Sequence, residues 1–405
     1  MGEFLAFVVL MFGLLPVSLL VTKDWPKAIL LAPLLSFALS ALVAQTHVVF
    51  DISLSRIFFA LFGLQLIPVV VLMTNRPFRS KLFEGLARVD LGKSAISIIA
   101  LSLAALAYVS AGPPLAWDAR SIWLSKASWL NGPASQYLIA QKDSLSGHPD
   151  YPLSGPSIMA TFWDLQGVQE NLQSGVSIMA FLPVVIIALA SIYFLESFSD
   201  RKISWIYVGF AFLLIGVSAY AANDMLGAGY MDVSLSTTVL SLGLVSLAYF
   251  VRPSRESLIV ILSLLLLANN LKQEGQIFAL VTIAVIGLAV LLSSRNLQFV
   301  VRFAGPIAAL FSVDRLLWGW FSEFAGLPES SSTSSIAGNL PEVFQPGSTF
   351  YQLLGQLIDR VGFINLFFWS VLTIITIGLV GLIRKREFGL QVSLFLLALP
   401  TASAG

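Results

Sequence analysis

Apolar stretches long enough to cross a bilayer recur through this 405-residue chain, and no other feature restricts its fold so severely. A helix needs about 17–25 apolar residues to span the hydrocarbon core, and only helices and closed barrels satisfy every backbone N–H and C=O there without water. With 57% hydrophobic residues, 11% charged residues and a mean hydropathy of +0.87, the chain carries more apolar surface than one soluble core encloses. The sequence predicts an all-α polytopic membrane protein. Spans are placed near 3–21, 28–46, 55–74, 94–112, 173–197, 204–222, 234–251, 257–271, 276–294, 303–320, 364–383 and 389–405, about 12 transmembrane helices in all.

The connections between these spans set the expected orientation. With the N-terminus outside, the inner connections are TKDWPK, NRPFRSKLFEGLARVDLGK, SDRKIS, RPSRES, the Arg295–Arg302 loop and IRKRE, which together hold 16 of the 23 Lys and Arg residues. That is the excess of cations that cytoplasmic loops carry. Residues 1–21 lack a basic n-region and a small-residue cleavage site, so they read as a retained first span. The last apolar stretch runs into TASAG with no polar anchor, as a truncated chain would. A formal net charge of +1, with no basic domain or tail, gives no sign of nucleic-acid binding, and the absence of cysteine excludes disulfides and thiolate chemistry.

Length is spent on the outer side, in loops 113–172 and 321–363, and long loops more often carry function than connect. The second contains PESSSTSSIAGNLPE, a flexible lid or linker. In the first, Pro113-Pro114 ends the fourth span and WDARSIWLSKASWL (117–130) has the makeup of a membrane-surface helix, with Trp117, Trp123 and Trp129 suited to the headgroup zone. On an α-helix Asp118 and Lys126 point about 80° apart, separated by about 12 Å along the axis, so both face one cleft, while Arg120 points elsewhere, toward lipid phosphate or another loop. Asp118 reads either as a helix-capping carboxylate or as a general base whose basicity a low-dielectric surface raises.

HPDYP (148–152) is a rigid turn because each Pro holds the residue before it extended. Beyond stapling the loop, it offers His148, Asp150 and Tyr151 to orient a polar substrate or help hold a divalent cation. Two histidines exclude a His-rich zinc site. NDMLGAGYMD, between the sixth and seventh spans, places Asp224 and Asp232 at the outer surface, as helix caps or as ligands for a hard cation or for donor hydroxyls. NNLKQEGQ (269–276) interrupts a long apolar run with Lys272 and Glu274, either as a polar hairpin or as a functional pair. Lys272 suits a phosphate leaving group.

These motifs in this order resemble the integral-membrane glycosyltransferases of the C-type (GT-C) fold, similar to dolichyl-phosphate-mannose protein mannosyltransferases and aminoarabinose transferases. The resemblance covers roughly residues 94–320, preceded by three spans and a basic loop in 1–93 and followed by the flexible outer loop and C-terminal spans of 321–405. It implies inverting transfer from a polyprenyl-phosphate sugar to a glycan, lipid or protein acceptor on the outer, periplasmic face of a bacterial inner membrane. Asp118 inherits the base role, and Asp232 and Glu274 match acidic positions that hold acceptor, donor or metal. Arg120, Lys126 and Lys272 are the cations for the donor phosphate, Asp118 and Asp232 the candidate ligands for a Mg or Mn ion, and apolar span faces the groove for the prenyl chain among membrane lipids. Two departures, the three extra spans and the lack of a paired Asp-Glu, leave acceptor and metal dependence open.

Two other classes fit the composition: a secondary transporter and a non-catalytic envelope assembly protein. Transporters place ionisable groups near the midplane and show internal repeats, whereas here charges cluster at span ends without six-plus-six self-similarity. Because the chain lacks cysteine, orientation is directly testable. An impermeant maleimide applied to right-side-out vesicles is expected to label Gln169→Cys and not Ser199→Cys; the reverse pattern inverts the assignment of sides.

Overall fold

The computed structural model describes residues 1–87, 90–111, 119–142, 151–198, 231–272, 275–277, 279–280, 284 and 297–327. Among them there is no strand. The helices are α1 (Glu3–Phe12), α2 (Leu15–Thr22), α3 (Trp25–Phe50), α4 (Leu54–Thr74), α5 (Arg76–Ala87) and α6 (Leu91–Ser110). A π-helical turn (Ala119–Leu124) leads into α7 (Ser125–Leu130), then come α8 (Ala134–Lys142), α9 (Ser154–Gln166) and α10 (Leu172–Phe198). The last are α11 (Asp232–Val251), α12 (Arg255–Leu271) and α13 (Leu297–Ala325).

Among the described residues, six stretches are long and apolar enough to cross a membrane: Glu3–Thr22, Trp25–Phe50, Leu54–Thr74, Leu91–Ser110, Leu172–Ser197 and Val233–Val251. They coincide with six of the expected spans. Helices also cover 257–271 and 303–320, whereas 204–222, 364–383, 389–405 and nearly all of 276–294 lie outside the described residues.

Local chemistry explains where helices start and bend. Asp24 caps α3, its carboxylate accepting the Lys27 N–H at 3.3 Å, with Pro26 in the first turn where its missing N–H costs nothing. Asp90 caps α6 in the same way at 3.1 Å, and the Ser254 hydroxyl caps α12 by accepting the Ser257 N–H at 3.0 Å. The first span breaks between α1 and α2 around Pro16, whose ring cannot sit against the carbonyl one turn back. The Gln65 amide from α4 fills that break: it donates to the Gly13 carbonyl at 2.5 Å and accepts the Val17 N–H at 3.3 Å. A buried side chain thus replaces the helical bond that Gly13 and Val17 would make with each other. Gly13 also lets the Phe58 ring approach, since a Cβ there would stand 3.3 Å from it.

α3 and α10 form the axis of the bundle. α10 is buried over 94% of its apolar window and α3 over 78%, against 17% for α4. α3 packs on α2, α6, α9, α10 and α12, and α10 on α6 and α11. α4 turns Leu64, Ile67, Val70 and Val71 outward, about as apolar a face as acyl chains offer.

At one end an ionic network joins these helices. The Lys27 ammonium of α3 meets Glu196 of α10 at 2.6 Å and Glu256 of α12 at 3.1 Å, and lies 4.6 Å from the Tyr193 ring centroid. Lys93 of α6 pairs with Asp24 at 2.8 Å and with Glu196. Tyr193 donates its hydroxyl to Glu256 at 2.6 Å, and the Arg252 guanidinium at the end of α11 donates to the Glu196 backbone carbonyl at 3.0 Å. So α3, α6 and α12 start at this network end while α10 and α11 finish there; the opposite, loop end collects the other termini. The Lys27 side chain is only 8% exposed, and losing one member of a buried pair strands the other charge. Lys27→Met is expected to destabilise the detergent-solubilised protein by about 3 kcal/mol, partly recovered by adding Glu256→Gln. A single variant melting like the parent would contradict the role.

Candidate functional site

The loop end is built by polar ties rather than by loose surface segments. Asp51, the left-handed cap of α3, accepts the Ala134 N–H at 2.9 Å and so places α8. Asp164 of α9 accepts the Ser55 N–H at 2.7 Å at the start of α4. The Asn131 amide donates to the Val168 and Gln169 carbonyls at 2.8 and 2.7 Å, and Gln173 reaches back to the Ala111 carbonyl at 3.2 Å. In the bundle interior Ser40 donates to the Ser154 carbonyl at 3.1 Å, and Ser157 donates to the Ser40 carbonyl, locking α9 against α3.

Within this frame the segment 119–130 departs from the expected membrane-surface helix. Its first six residues wind as a π-helix, so the angular relation derived for a continuous α-helix does not carry across them. Trp123 and Lys126 are buried rather than at a headgroup surface, because the segment is packed against α8 and α9. Trp123 lies over Tyr151 with ring centroids 5.5 Å apart. The Lys126 ammonium, fully enclosed, donates to the Tyr151 carbonyl at 3.1 Å and lies 5.9 Å from its ring centroid. The sequence-predicted Lys126 and Tyr151 are therefore brought together, with lysine holding the Pro-rich turn by its backbone. Arg120 is exposed. Asp118, His148, Asp150, Asp224 and Glu274 lie outside the described residues, as does the side chain of Asp232.

Asp232 opens α11, and the neighbours of that first turn are informative. On one flank Met231 lies against the start of α9: a Cβ on Gly155 would stand 3.2 Å from the Met231 sulfur. On the other, Leu235 packs at the hairpin after α12, where a Cβ on Gly275 would fall 2.8 Å from Leu235 and 2.1 Å from the Ala268 carbonyl. The first turn of α11 thus sits between the start of α9, which follows Tyr151 and Pro152, and the hairpin after α12, so three segments far apart in sequence share one end of the bundle.

The hairpin also holds residues that sequence reasoning did not assign. Asn269 and Asn270, 2% and 3% exposed, close the last turn of α12. The Asn270 amide donates to both oxygens of Asp314 on α13, at 3.0 and 3.1 Å, and Asn269 approaches the same carboxylate at 3.4 Å. Next to it, Arg315 donates to the Gln276 side-chain carbonyl at 2.6 Å. An Asp-Arg pair inside FSVDRLLWGW is the signal that marks this site, since ionisable groups among apolar residues are costly and face partners. On α8, Tyr137 and Gln141 share one buried face, and burial pushes the Tyr137 phenol above its ordinary value, keeping it neutral.

Glycine at 275 is needed because its backbone approaches α12. Gly275→Ala is expected to lower stability by about 1–3 kcal/mol through forced displacement of the hairpin. Gly63→Ala, at an α4 position with open space around it, is expected to be neutral or stabilising by up to about 1 kcal/mol. Thermal melting of both variants in detergent checks the contrast, and equal melting would contradict it. Compared with family models, with curated proteins and with solved structures, the chain finds no match, so its function is argued from the arrangement at this end.

Proposed function

We infer that the chain is an inverting glycosyltransferase moving a sugar from a polyprenyl-phosphate donor to an envelope glycan, lipid or protein, on the outer face of a bacterial plasma membrane. The reading extends the bundle to about twelve spans, with the loop end outside. One observation carries it. The first turn of α11, which Asp232 opens, is flanked by the start of α9, just after Tyr151, through Met231 and by the hairpin through Leu235. Such a gathering of acidic and basic loops beside apolar helix faces suits a donor with a charged head and a prenyl tail.

The chemistry assigns roles. Asp118 takes the proton of the acceptor hydroxyl as that oxygen bonds to the anomeric carbon and the carbon–oxygen bond to phosphate breaks, its electron pair leaving with the polyprenyl phosphate. Lys272 and Arg120 offset the charge developing on the phosphate, and Lys126 holds the Tyr151 backbone, next in sequence to Asp150. Asp118 and Asp232 are the residues that would hold a Mg or Mn ion, which when bound would offset that charge. A second reading, secondary transport, is favoured by the break after the short α12 beside Asp314, since interrupted helices line transporter sites.

In proteoliposomes supplied with labelled polyprenyl-phosphate sugars and envelope acceptors, Asp118→Asn is expected to cut transfer by about 100-fold or more while the protein stays folded. Undiminished transfer by the variant removes the base role. No transfer by the parent chain, with solute uptake instead, favours the transporter.

A further inference from the structure

At the network end, α5 carries cations that the bundle does not use. The 21 residues of α4 extend about 31 Å, close to the thickness of the hydrocarbon core, and its outward face stays apolar as far as Val71. One extended residue, Asn75, then turns the chain into α5. The far end of α5 is pinned beside the network: Leu82 is buried, and a Cβ on Gly85 would stand 2.5 Å from the carbonyl of Lys23, the residue before Asp24. Asp90 then opens α6, whose Lys93 pairs with Asp24. With one end at the close of a span and the other at the level of the network, α5 lies across the edge of the hydrocarbon rather than projecting from it.

The docked and outward faces of α5 differ in kind. Leu82 and Gly85 meet the bundle. Arg76, Arg79 and Phe83, spaced by three and then four residues, fall in a row on the opposite face, all exposed, Phe83 by 54%. Neither guanidinium has a hydrogen bond or ion pair among the described residues. The carboxylates of the network are already taken, Asp24 and Glu196 by Lys93, and Glu196 and Glu256 by Lys27. Glu84, on α5 itself, accepts the Ser80 hydroxyl at 3.0 Å. Two uncompensated guanidiniums just beyond the end of a span stand at the depth of lipid phosphates. Water would solvate the arginines but oppose exposure of the ring beside them, whereas a lipid interface satisfies both. A zwitterionic headgroup carries its own cation beside the phosphate, so the pair favours a lipid of net negative charge.

We propose that α5 binds an anionic phospholipid in the leaflet at the network end, Arg76 and Arg79 holding the headgroup phosphate and Phe83 seated among the upper acyl carbons. The inference rests neither on sugar transfer nor on which side of the membrane the network faces. The bound lipid braces α5 through Gly85 against Lys23, next to the Asp24–Lys93 pair, and so supports the levelling of the helix ends.

The test uses the full chain in phosphatidylcholine nanodiscs, with Ala87→Cys, exposed on the same face, carrying a fluorophore on the only thiol. Quenching by phosphatidylglycerol with a nitroxide near its glycerol end is compared with quenching by phosphatidylcholine carrying the same nitroxide. The phosphatidylglycerol is expected to quench at about 10-fold lower mole fraction. That preference is expected to vanish in Arg76→Gln with Arg79→Gln. Glu84→Gln, which removes a carboxylate from α5, is expected to raise the preference and serves if the double variant fails to fold. Equal quenching by the two lipids in the parent, a preference kept in the folded double variant, or no rise in Glu84→Gln would overturn the proposal. So would loss of the preference to excess inorganic phosphate at constant ionic strength, which assigns the arginines to a soluble anion, or absence of quenching by either lipid, which turns the face to water. No donor sugar is present, so each result stands apart from the outcome of the transfer assay.

Discussion

The bundle depends on the way five helix ends are held at one level by Lys27, Lys93, Glu196, Glu256 and Arg252. Charge pairs of this kind are weak evidence of net stability, because desolvation offsets much of their attraction. Their value here is register. An α-helix is rigid along its axis, so levelling α3, α6, α10, α11 and α12 at the network end determines how far each reaches toward the other. α3 and α10 reach full length, α12 stops short, and the polar termini gathered at the loop end inherit their depths from that difference.

The same constraint explains why polar side chains appear inside apolar helices. Without water, each broken backbone bond must be completed from within the protein. Gln65 does this at the Pro16 break, supplying both a donor and an acceptor to Gly13 and Val17. The serines at 40, 154 and 157 do it between α3 and α9, exchanging hydroxyl-to-carbonyl bonds across the interface. Asn270 does it at the end of α12, its amide donating to the Leu266 carbonyl as well as to Asp314.

Hydropathy made the six membrane-length stretches legible, since apolar length is the property that both the sequence and the bilayer measure. The proximity of the Tyr151 turn, the start of α11 and the 269–276 hairpin was legible only as motif order; their packing through Gly155 and Gly275 is a tertiary fact. The burial of Trp123 and Lys126 was not legible, because a composition that suits a membrane surface also suits an enclosed segment, and a π-turn with its packing on α8 and α9 is not encoded in spacing. The network of Lys27, Glu196 and Glu256 was dispersed over the connections TKDWPK and RPSRES and the end of the span at 173–197, so nothing in the sequence joined its members. Asp314 was hidden inside a stretch read as a span, where only its cost in an apolar setting distinguishes it.

The central claim is that the start of α9 and the hairpin after α12 meet around the first turn of α11, and disulfide trapping in the cysteine-free chain tests it most directly. Gly155→Cys with Met231→Cys, and separately Leu235→Cys with Gly275→Cys, would be oxidised in native membranes beside the distant pair Thr74→Cys with Gln169→Cys. The account predicts rapid cross-linking within both close pairs and none in the distant one. Failure of both close pairs to cross-link in folded protein, or cross-linking no faster than the distant pair, would contradict the arrangement on which the functional reading stands.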